Sequence, residues 1–221
     1  MWRRRHNLVI YQNYRARDAL LGANVLSIAL IVGCGGPASV AKTVDPVYDK
    51  ATGRLQLLKY DANGNGRPDT FSYMEGARVL RIEIDKDEDG KIDRWEYYGA
   101  DAKLERVGFS AKNDGQEDGW SFAGPDGAVS RVELSTRRDG TVTRTEFYDK
   151  AAIARAEEDT DFDGAVDKWE TYAAGGRMAS VAFDTVHRGT PDRRLLYDED
   201  GSVRAEEDPD GSAQWQPVAK R

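Results

Sequence analysis

Cysteine and histidine are scarce in this sequence: its 221 residues include one cysteine and two histidines. A single cysteine excludes a disulfide within the chain. The two histidines lie far apart, at positions 6 and 187, and the carboxylates are spread regularly along the chain, so no acid–base constellation is evident and no enzyme activity is expected. Packing or a bound metal ion must therefore stabilise the fold.

Positive charge is in deficit, with 32 Lys and Arg against 39 Asp and Glu and a net charge of −7. The first 33 residues carry five arginines and one aspartate, so the rest of the chain has a net charge of about −11. Nucleic-acid binding requires clustered Lys and Arg opposite the phosphates. The acidic balance therefore argues against a nucleic-acid partner.

The first 33 residues have the pattern of a secretory signal. A basic segment precedes the uncharged apolar segment ALLGANVLSIALIVG (19–33), and Cys34 follows at once. An apolar region of about 15 residues between a basic region and a small residue is typical of a signal peptide, and it is short of the ~20 residues that span a membrane. An uncleaved anchor helix with an incidental cysteine is the alternative.

The residues Ile31-Val32-Gly33-Cys34 resemble a bacterial lipobox. The resemblance implies cleavage before Cys34, diacylation of its sulfur and acylation of the new amino group. Gly35 resembles the sorting pattern of outer-membrane lipoproteins, and two or three acyl chains anchor a protein stably. We therefore expect a signal peptide over 1–33, a lipidated cysteine and flexible tether over 34–46, and a location in the cell envelope, at the outer membrane.

The rest of the chain is built from repeats of 24–25 residues. The glycines that follow the acidic runs define the period; they are Gly66, Gly90, Gly115, Gly140, Gly164, Gly189 and Gly211, separated by 24, 25, 25, 24, 25 and 22 residues. Each unit contains an acidic loop, a short aromatic stretch, a turn and an alternating stretch. A period in this range indicates a repeat architecture, predicted here over 47–216 with a tail over 217–221.

The alternating stretches have the period-two pattern of half-buried strands. Ile82, Val107 and Val132 are predicted on one face, and Arg81 and Glu83 on the other. Two strands joined by a Gly-containing turn make a hairpin, and each acidic loop leads into the next hairpin. The predicted fold is an all-β antiparallel meander of about fourteen strands, and the sequence leaves open whether the sheet closes on itself.

Two acidic loops fit the pattern D-x-[DN]-x-[DN]-G-x5-E in full. Their carboxylates at positions 1, 3, 5, 9 and 12 are Asp85, Asp87, Asp89, Asp93 and Glu96 in one loop and Asp159, Asp161, Asp163, Asp167 and Glu170 in the other. Calcium prefers six to eight oxygen ligands, and carboxylates ~4 Å apart repel by about 1 kcal/mol per pair even in water. The crowding therefore predicts a structural Ca²⁺ ion.

These loops resemble the calcium loops of EF-hands, dockerins and thrombospondin type 3 repeats. The resemblance implies that position 7, which is Lys91 or Ala165, contributes a backbone carbonyl. In those EF-hand and dockerin loops position 12 begins a helix, whereas the corresponding residues here have a strand pattern. Glu96 and Glu170 are therefore weaker candidates than the aspartates, with water as the alternative ligand.

The other loops are less complete. One keeps Asp61, Asn63, Asn65 and Asp69, and we expect it to bind calcium more weakly. In three further loops Lys112, Arg137 and Arg188 replace acidic residues, and these cations are expected to neutralise the remaining carboxylates without metal. The alternative for every loop is an acidic Asp-Gly turn that serves solubility.

Three functions are compatible with this sequence. The first is a calcium-stabilised lipoprotein that acts as a structural or protein-interaction scaffold in the cell envelope. The second is a glycan-binding module that uses a row of aromatic residues, Trp95, Trp120, Trp169 and Trp215, although a core stripe is the simpler reading of that row. The third is a metal-dependent hydrolase, which the absence of a long inserted loop disfavours.

Overall fold

The computed structural model describes residues 44–218, which form one antiparallel sheet of fifteen strands. The strands are β1 (Val44–Tyr48), β2 (Leu55–Tyr60), β3 (Thr70–Glu75), β4 (Arg78–Ile84), β5 (Arg94–Tyr98), β6 (Leu104–Phe109), β7 (Gly119–Ala123), β8 (Val129–Leu134), β9 (Arg144–Asp149), β10 (Ala152–Glu158), β11 (Lys168–Ala173), β12 (Arg177–Phe183), β13 (Arg193–Tyr197), β14 (Val203–Glu207) and β15 (Gln216–Pro217). A short 3₁₀ turn, Ala174–Gly176, joins β11 to β12.

The strands follow one another across the sheet in chain order, so the predicted all-β meander is confirmed. β1 and β15 occupy the two ends of the strand order, and the sheet is not closed. Within residues 44–218 no helix is long and apolar enough to span a membrane. The predicted signal peptide and Cys34 lie outside the described residues, and β1 begins three residues before the predicted start of the repeat domain.

The strand register confirms the predicted alternation. Ile82, Val107 and Val132 lie on one face, here called face A, because Ile82 and Val107 both pair with Glu96, and Val107 and Val132 both pair with Ser121. The intervening Glu96 and Ser121 show that face A is not wholly apolar. In five hairpins the first strand adds a polar side chain to the same row as the apolar residues of the second strand; these side chains are Ser72, Glu96, Ser121, Glu146 and Glu170.

Trp95, Trp120 and Trp169 lie on the other face, face B, together with arginines and glutamates such as Arg81 and Glu83. Trp95 pairs with Glu83, and Trp120 pairs with Glu133 in the same row. Trp95 is buried, whereas Trp120 and Trp169 are half-buried. In the adjacent row of face B, arginines stack on aromatic rings, as Arg81 does on Tyr73 and Arg131 on Phe122, at 4.3 and 4.1 Å from the ring centroids.

Few apolar side chains are fully buried in this single sheet. The buried hydrophobic residues of the described chain are Trp95, Val107, Val129, Val132, Leu134, Ala156 and Val181. The central group, Val129, Val132 and Leu134, packs with Phe109 and Tyr148. Most buried polar residues are instead aspartates in the acidic loops. Because no second layer of the described chain packs on this sheet, hydrogen bonds and ion pairs must supply much of its stability.

Candidate metal-binding loops

The acidic loops all lie at the same end of the strands. Each loop joins the second strand of one hairpin to the first strand of the next, whereas the short turns within the hairpins lie at the opposite end of the strands. We number them in chain order by their positions 1 to 9: loop 1 (61–69), loop 2 (85–93), loop 3 (110–118), loop 4 (135–143), loop 5 (159–167) and loop 6 (184–192), with loop 7 starting at Asp208. The topology therefore brings all candidate ligands into one row.

Backbone hydrogen bonds tie each loop to the loop before it. The amide at position 1 donates to the carbonyl at position 9 of the preceding loop, as from Asp85 to Asp69 and from Asp184 to Asp167, both at 2.8 Å. The amide at position 9 donates to the last residue of the preceding strand, as from Asp93 to Ile84 at 2.9 Å. The sheet's hydrogen-bond ladder thus continues through the bases of the loops.

The aspartates at positions 1 and 9 close their own loops. Asp85 accepts the amide of Gly90 at 2.9 Å, and Asp93 accepts the amide of Lys86 at 2.7 Å. Loop 4 makes the same two contacts with hydroxyl groups, because Ser135 Oγ accepts the amide of Gly140 and Thr143 Oγ1 accepts the amide of Thr136. Positions 1 and 9 therefore have a structural role that does not require metal, which the sequence analysis did not recognise.

Loop 2 leaves two buried carboxylate oxygens without a partner. Asp85 and Asp93 are both 8% exposed, and the Oδ1 atom of each is buried without a hydrogen bond. Carboxylate oxygens of Asp85, Asp87 and Asp93 lie within 4.8 Å of one another. An unpaired buried carboxylate oxygen is costly, and a divalent cation would relieve both, so this donor set fits a hard cation such as Ca²⁺.

The electrostatics of loop 2 agree with that geometry. Burial raises the pKa of Asp93 above its ordinary value, and the negative charges of Asp87 and Asp85 add to the effect. The exposed carboxylate of Asp89 is instead paired with the ammonium of Lys91 at 3.0 Å, which lowers the pKa of Asp89. The negative charge of loop 2 that no cation of the loop neutralises therefore lies at positions 1, 3 and 9.

Loop 5 has the same sequence pattern but satisfies its inner carboxylates. Asp159, Asp161 and Asp167 again place oxygens within 4.8 Å of one another. Both oxygens of Asp159 accept backbone amides, at 2.6 and 2.9 Å. The Thr160 hydroxyl contacts both oxygens of Asp167 at 2.8 Å, whereas position 2 of loop 2 is Lys86, which has no hydroxyl. The hydroxyl at position 2 thus satisfies the aspartate at position 9 of loop 5, and the amide of Phe162 at position 4 satisfies the one at position 1.

Asp163 of loop 5 is exposed and its Oδ1 atom accepts the amide of Ala165 at 2.8 Å. The backbone of Ala165, at position 7, is therefore drawn towards position 5. The amide of Lys91 is placed in the same way, 2.9 Å from Asp89 in loop 2. The two full-pattern loops thus share their fold at positions 5 to 7.

Loop 1 is also satisfied internally. Asp61 is 2% exposed; its burial would raise the pKa, but amides donated by Gly66, Gly64 and Asn65 outweigh burial and lower it. Asp69 accepts the amide of Ala62 and the hydroxyl of Thr70 at 2.9 and 2.7 Å.

The side-chain amide groups of Asn63 and Asn65 in loop 1 donate hydrogen bonds to the carboxylate of Glu88 at the tip of loop 2. Each of the four predicted ligands of loop 1 therefore already has a hydrogen-bond partner in the described chain.

The structure does not bring the position-12 glutamates to the loops. Glu96 lies in β5 and accepts hydrogen bonds from Arg94 at 2.8 Å and from the Tyr98 hydroxyl at 2.7 Å. Glu170 lies in β11 and is bound by Arg144 and Lys168, both at 2.7 Å. Because position 12 continues a strand instead of starting a helix, these carboxylates belong to ion pairs on face A.

The built-in cations act between loops more than within them. Arg138 of loop 4 reaches back to Asp114 and Asp118 of loop 3, with its Nε 2.6 Å from Asp118, and it holds the pKa of Asp114 below its ordinary value. Arg188 of loop 6 reaches forward to Asp208 of loop 7 at 3.4 Å. The ligand pattern in the sequence points to Arg188, at position 5, but not to Arg138, because position 4 carries no ligand in that pattern.

Arg137, the other arginine singled out in loop 4, stays near its own loop. Its Nε lies 3.5 Å from Asp139, and its guanidinium stacks over the ring of Phe162 in loop 5 at 4.9 Å. Arg137 therefore pairs with one carboxylate of its own loop and with an aromatic ring of the next.

His187 is a second residue whose position the sequence did not reveal. It lies at position 4 of loop 6, and its Nε2 and Nδ1 atoms are each 3.6 Å from a carboxylate oxygen, of Asp161 and Asp163 respectively. One oxygen or nitrogen from each of the three residues lies within 4.8 Å of the others. The only signal in the sequence is the repeat spacing, which places position 4 of one loop beside its neighbour.

No protein-family model matches the sequence, and the search of curated proteins gives no match. Solved structures show partial likeness. S. aureus TarM in complex with Fondaparinux, alpha-GlcNAc-glycerol and UDP has a TM-score of 0.24 and 12% identity over 47% of this chain. Accessory secretory protein 1, 2 and 3 of Streptococcus pneumoniae has a TM-score of 0.26 and 16% identity over 54%. A GtfA/B complex bound to UDP and GlcNAc has a TM-score of 0.19 and 9% identity over 78%.

The aligned part of the chain spans between 17% and 25% of the length of these three structures. At such TM-scores the likeness carries no information about the function of this chain.

Proposed function

We propose that this chain is a calcium-stabilised lipoprotein of the cell envelope that serves as a structural or protein-interaction scaffold, attached to the outer membrane through Cys34. The observation that carries the calcium part is the pair of unpartnered buried oxygens, Asp85 Oδ1 and Asp93 Oδ1, beside the carboxylate of Asp87. The proposal assigns no catalytic role to the metal.

Calcium would act by linking units. Loop 2 is bonded to loop 1 through the amide of Asp85 and to loop 3 through the carbonyl of Asp93, which accepts the amide of Ser110 at 3.1 Å. A cation bound between positions 1, 3 and 9 would hold loop 2 in the conformation in which both of these hydrogen bonds form. The expected effect is a stiffer connection between hairpins, and not a change of fold.

The magnitude follows from linkage. Extracellular calcium modules bind with dissociation constants of about 0.1–1 mM. At about 1 mM Ca²⁺ and a constant near 0.1 mM, one site adds roughly 1.4 kcal/mol to the free energy of unfolding. For a domain of this size 1 kcal/mol shifts the melting temperature by about 2–4 °C, so one site should raise it by about 3–5 °C.

The test is scanning calorimetry of the full-length chain carrying Cys34→Ser, in EDTA and in 1 mM CaCl₂. Asp87→Asn is the informative variant, because Asp87 is exposed and does not close the loop. Asp101→Asn is the matched control, since Asp101 is an exposed aspartate in the β5–β6 turn that pairs with Lys103. We expect calcium to raise the melting temperature of the parent and the control, but not of Asp87→Asn.

An equal melting temperature with and without calcium in the parent chain would refute the calcium proposal. The lipid anchor is tested separately by mass spectrometry of the membrane-extracted chain. Acyl chains on an N-terminal Cys34 fragment are expected, and an unmodified or uncleaved N-terminus would refute that part.

A glycan-binding module is the second candidate, favoured by one observation. Trp120 and Trp169 are half-buried on face B, where no second layer of the described chain covers them. Exposed aromatic rings can stack on sugars. Iodide should then quench most of the tryptophan fluorescence, and a bound oligosaccharide should protect it; fluorescence that iodide barely affects would count against this candidate.

A further inference from the structure

Position 4 of the loops extends a side chain to the preceding loop. The backbone there is left-handed, with φ of 59° at Glu88, 53° at Asn113, 62° at Arg138 and 55° at His187. Three of these side chains match what they meet: Glu88 accepts the amides of loop 1, Asn113 donates to Asp87, and Arg138 donates to two carboxylates. His187 is the exception.

Each carboxylate that faces His187 uses one oxygen for a hydrogen bond within loop 5 and presents the other to the imidazole. The Oδ1 atoms of Asp161 and Asp163 each accept a backbone amide, at 3.3 and 2.8 Å. Their Oδ2 atoms are the ones that face the imidazole. Since Asp159 and Asp167 are already satisfied within the loop, the uncompensated negative charge of loop 5 lies at its outer edge, against His187.

The distances fit a metal ion better than hydrogen bonds. Both N···O separations are 3.6 Å, beyond the 2.7–3.2 Å range of N–H···O hydrogen bonds. A neutral imidazole has one N–H group and one nitrogen lone pair, and that lone pair can bind a metal ion. Two ligands about 2.0–2.1 Å from a tetrahedral zinc ion lie about 3.3–3.4 Å apart, close to the observed spacing.

We propose that Asp161 and His187 form a site for a divalent transition cation of the zinc class, between loops 5 and 6. His187 Nε2 and Asp161 Oδ2 are the ligands, water completes the coordination, and the carboxylate of Asp163, which faces Nδ1, acts as a positioning residue for the imidazole. Imidazole nitrogen suits zinc, copper, nickel and cobalt, whereas calcium prefers oxygen. This site is therefore chemically distinct from the oxygen-only set of loop 2 and does not depend on it.

The experiment is a titration of the full-length chain carrying Cys34→Ser with Zn²⁺ by calorimetry and with Co²⁺ by visible absorption. The substitution removes the chain's one thiol as a competing ligand, and 1 mM CaCl₂ is present to occupy oxygen-only sites. We expect one equivalent of either metal to bind, with a Co²⁺ absorption band that reports nitrogen ligation.

His187→Asn is the main variant, since asparagine tolerates the left-handed backbone. It should weaken binding at least tenfold, and Asp161→Asn should do the same. Asp163→Asn should weaken binding by about 10- to 100-fold, as loss of a carboxylate behind a metal-bound histidine does, and should shift the Co²⁺ band. His6→Asn, at the chain's other histidine, is the control and should bind as the parent does.

The proposal is overturned if the parent binds neither metal in calcium buffer, or if His187→Asn binds as tightly as the parent. Near-ultraviolet circular dichroism identifies a variant that fails to fold, and Asp161→Asn then provides the same test. Asp87→Asn should leave Zn²⁺ binding unchanged whether or not calcium binds loop 2, so failure of the calcium proposal and failure of this one are distinguishable.

Discussion

Replacing Arg144 by methionine should be among the most damaging single changes in the sheet. In β9, the guanidinium of Arg144 contacts three glutamates on three strands: Glu146 at 2.9 Å, Glu158 at 3.0 Å and Glu170 at 2.7 Å. Lys168 bonds the last two of these carboxylates from the other side. The group lies on face A, where methionine would keep the apolar stem but remove the charge.

The magnitude follows from what remains after the change. Glu170 is 5% exposed and its carboxylate would keep only Lys168 and the hydroxyl of Tyr172. Burial alone would raise the pKa of Glu170, but hydrogen bonds from Arg144 and Lys168 outweigh it and lower the pKa from 4.5 to about 2. That difference corresponds to about 3 kcal/mol for all the partners of Glu170 together. Because Lys168 and Tyr172 remain, roughly 2 kcal/mol of it is lost with Arg144.

Arg144→Met should therefore lower the free energy of unfolding by about 2–3 kcal/mol, measured by urea denaturation at pH 7. The control is Arg78→Met, which removes an exposed ion pair with Glu75 in a turn; such pairs contribute at most about 1 kcal/mol. A loss below about 0.5 kcal/mol for Arg144→Met would refute the reasoning, because it would mean that the network contributes no net stability.

The same network predicts a pH dependence. Because the pKa of Glu170 is lower in the folded than in the unfolded chain, its contribution is fully present above about pH 4.5 and is lost as the pH falls towards 2. The difference in stability between the parent chain and Arg144→Met should therefore shrink across that range. A difference that stays constant from pH 7 to pH 2.5 would contradict the assignment to Glu170.

Three further predictions concern the loops and face B. Arg138→Gln should make loop 3 respond to calcium, because Asp114 and Asp118 lose their built-in cation; a calcium-induced shift in melting temperature no larger than that of the parent would contradict this. Gly164→Ala should cost about 1 kcal/mol in urea denaturation, since its φ is 94° and the added methyl group meets no atom within 4 Å; an unchanged midpoint would contradict it. Trp95, which is 8% exposed, should resist iodide quenching when it is the only tryptophan left in the chain.

The strand arrangement could be predicted from the sequence because it depends on local signals. A period of about 25 residues, alternation in the second strands and turns of Gly, Asp or Ala all favour successive antiparallel pairs. The packing of the faces could not be predicted in the same way. Whether Trp95 lies with Val107 or with Glu83 depends on the register between strands, and a shift of one residue exchanges the faces.

The candidate sites were predictable in location but not in detail. The spacing of Asp85, Asp87 and Asp93 correctly groups three carboxylates. The number of unpaired oxygens depends on individual hydrogen bonds, such as those from the Thr160 hydroxyl, and a pattern that counts only acidic residues does not register them. The contact between His187 and loop 5 depends on a left-handed residue in a neighbouring repeat, which no twelve-residue motif includes.

The strict chain order of the strands has a consequence for how such a molecule can change in length. In the described chain each hairpin is hydrogen-bonded to the hairpins on either side of it, and loops 2 to 6 use the same pair of backbone bonds at their bases. Deleting one complete unit, for example residues 110–134, would join two surfaces of the same geometry and shorten the ribbon without a new fold. Duplication would lengthen it by the same rule, so that the reach of the molecule can vary independently of the chemistry of any one loop.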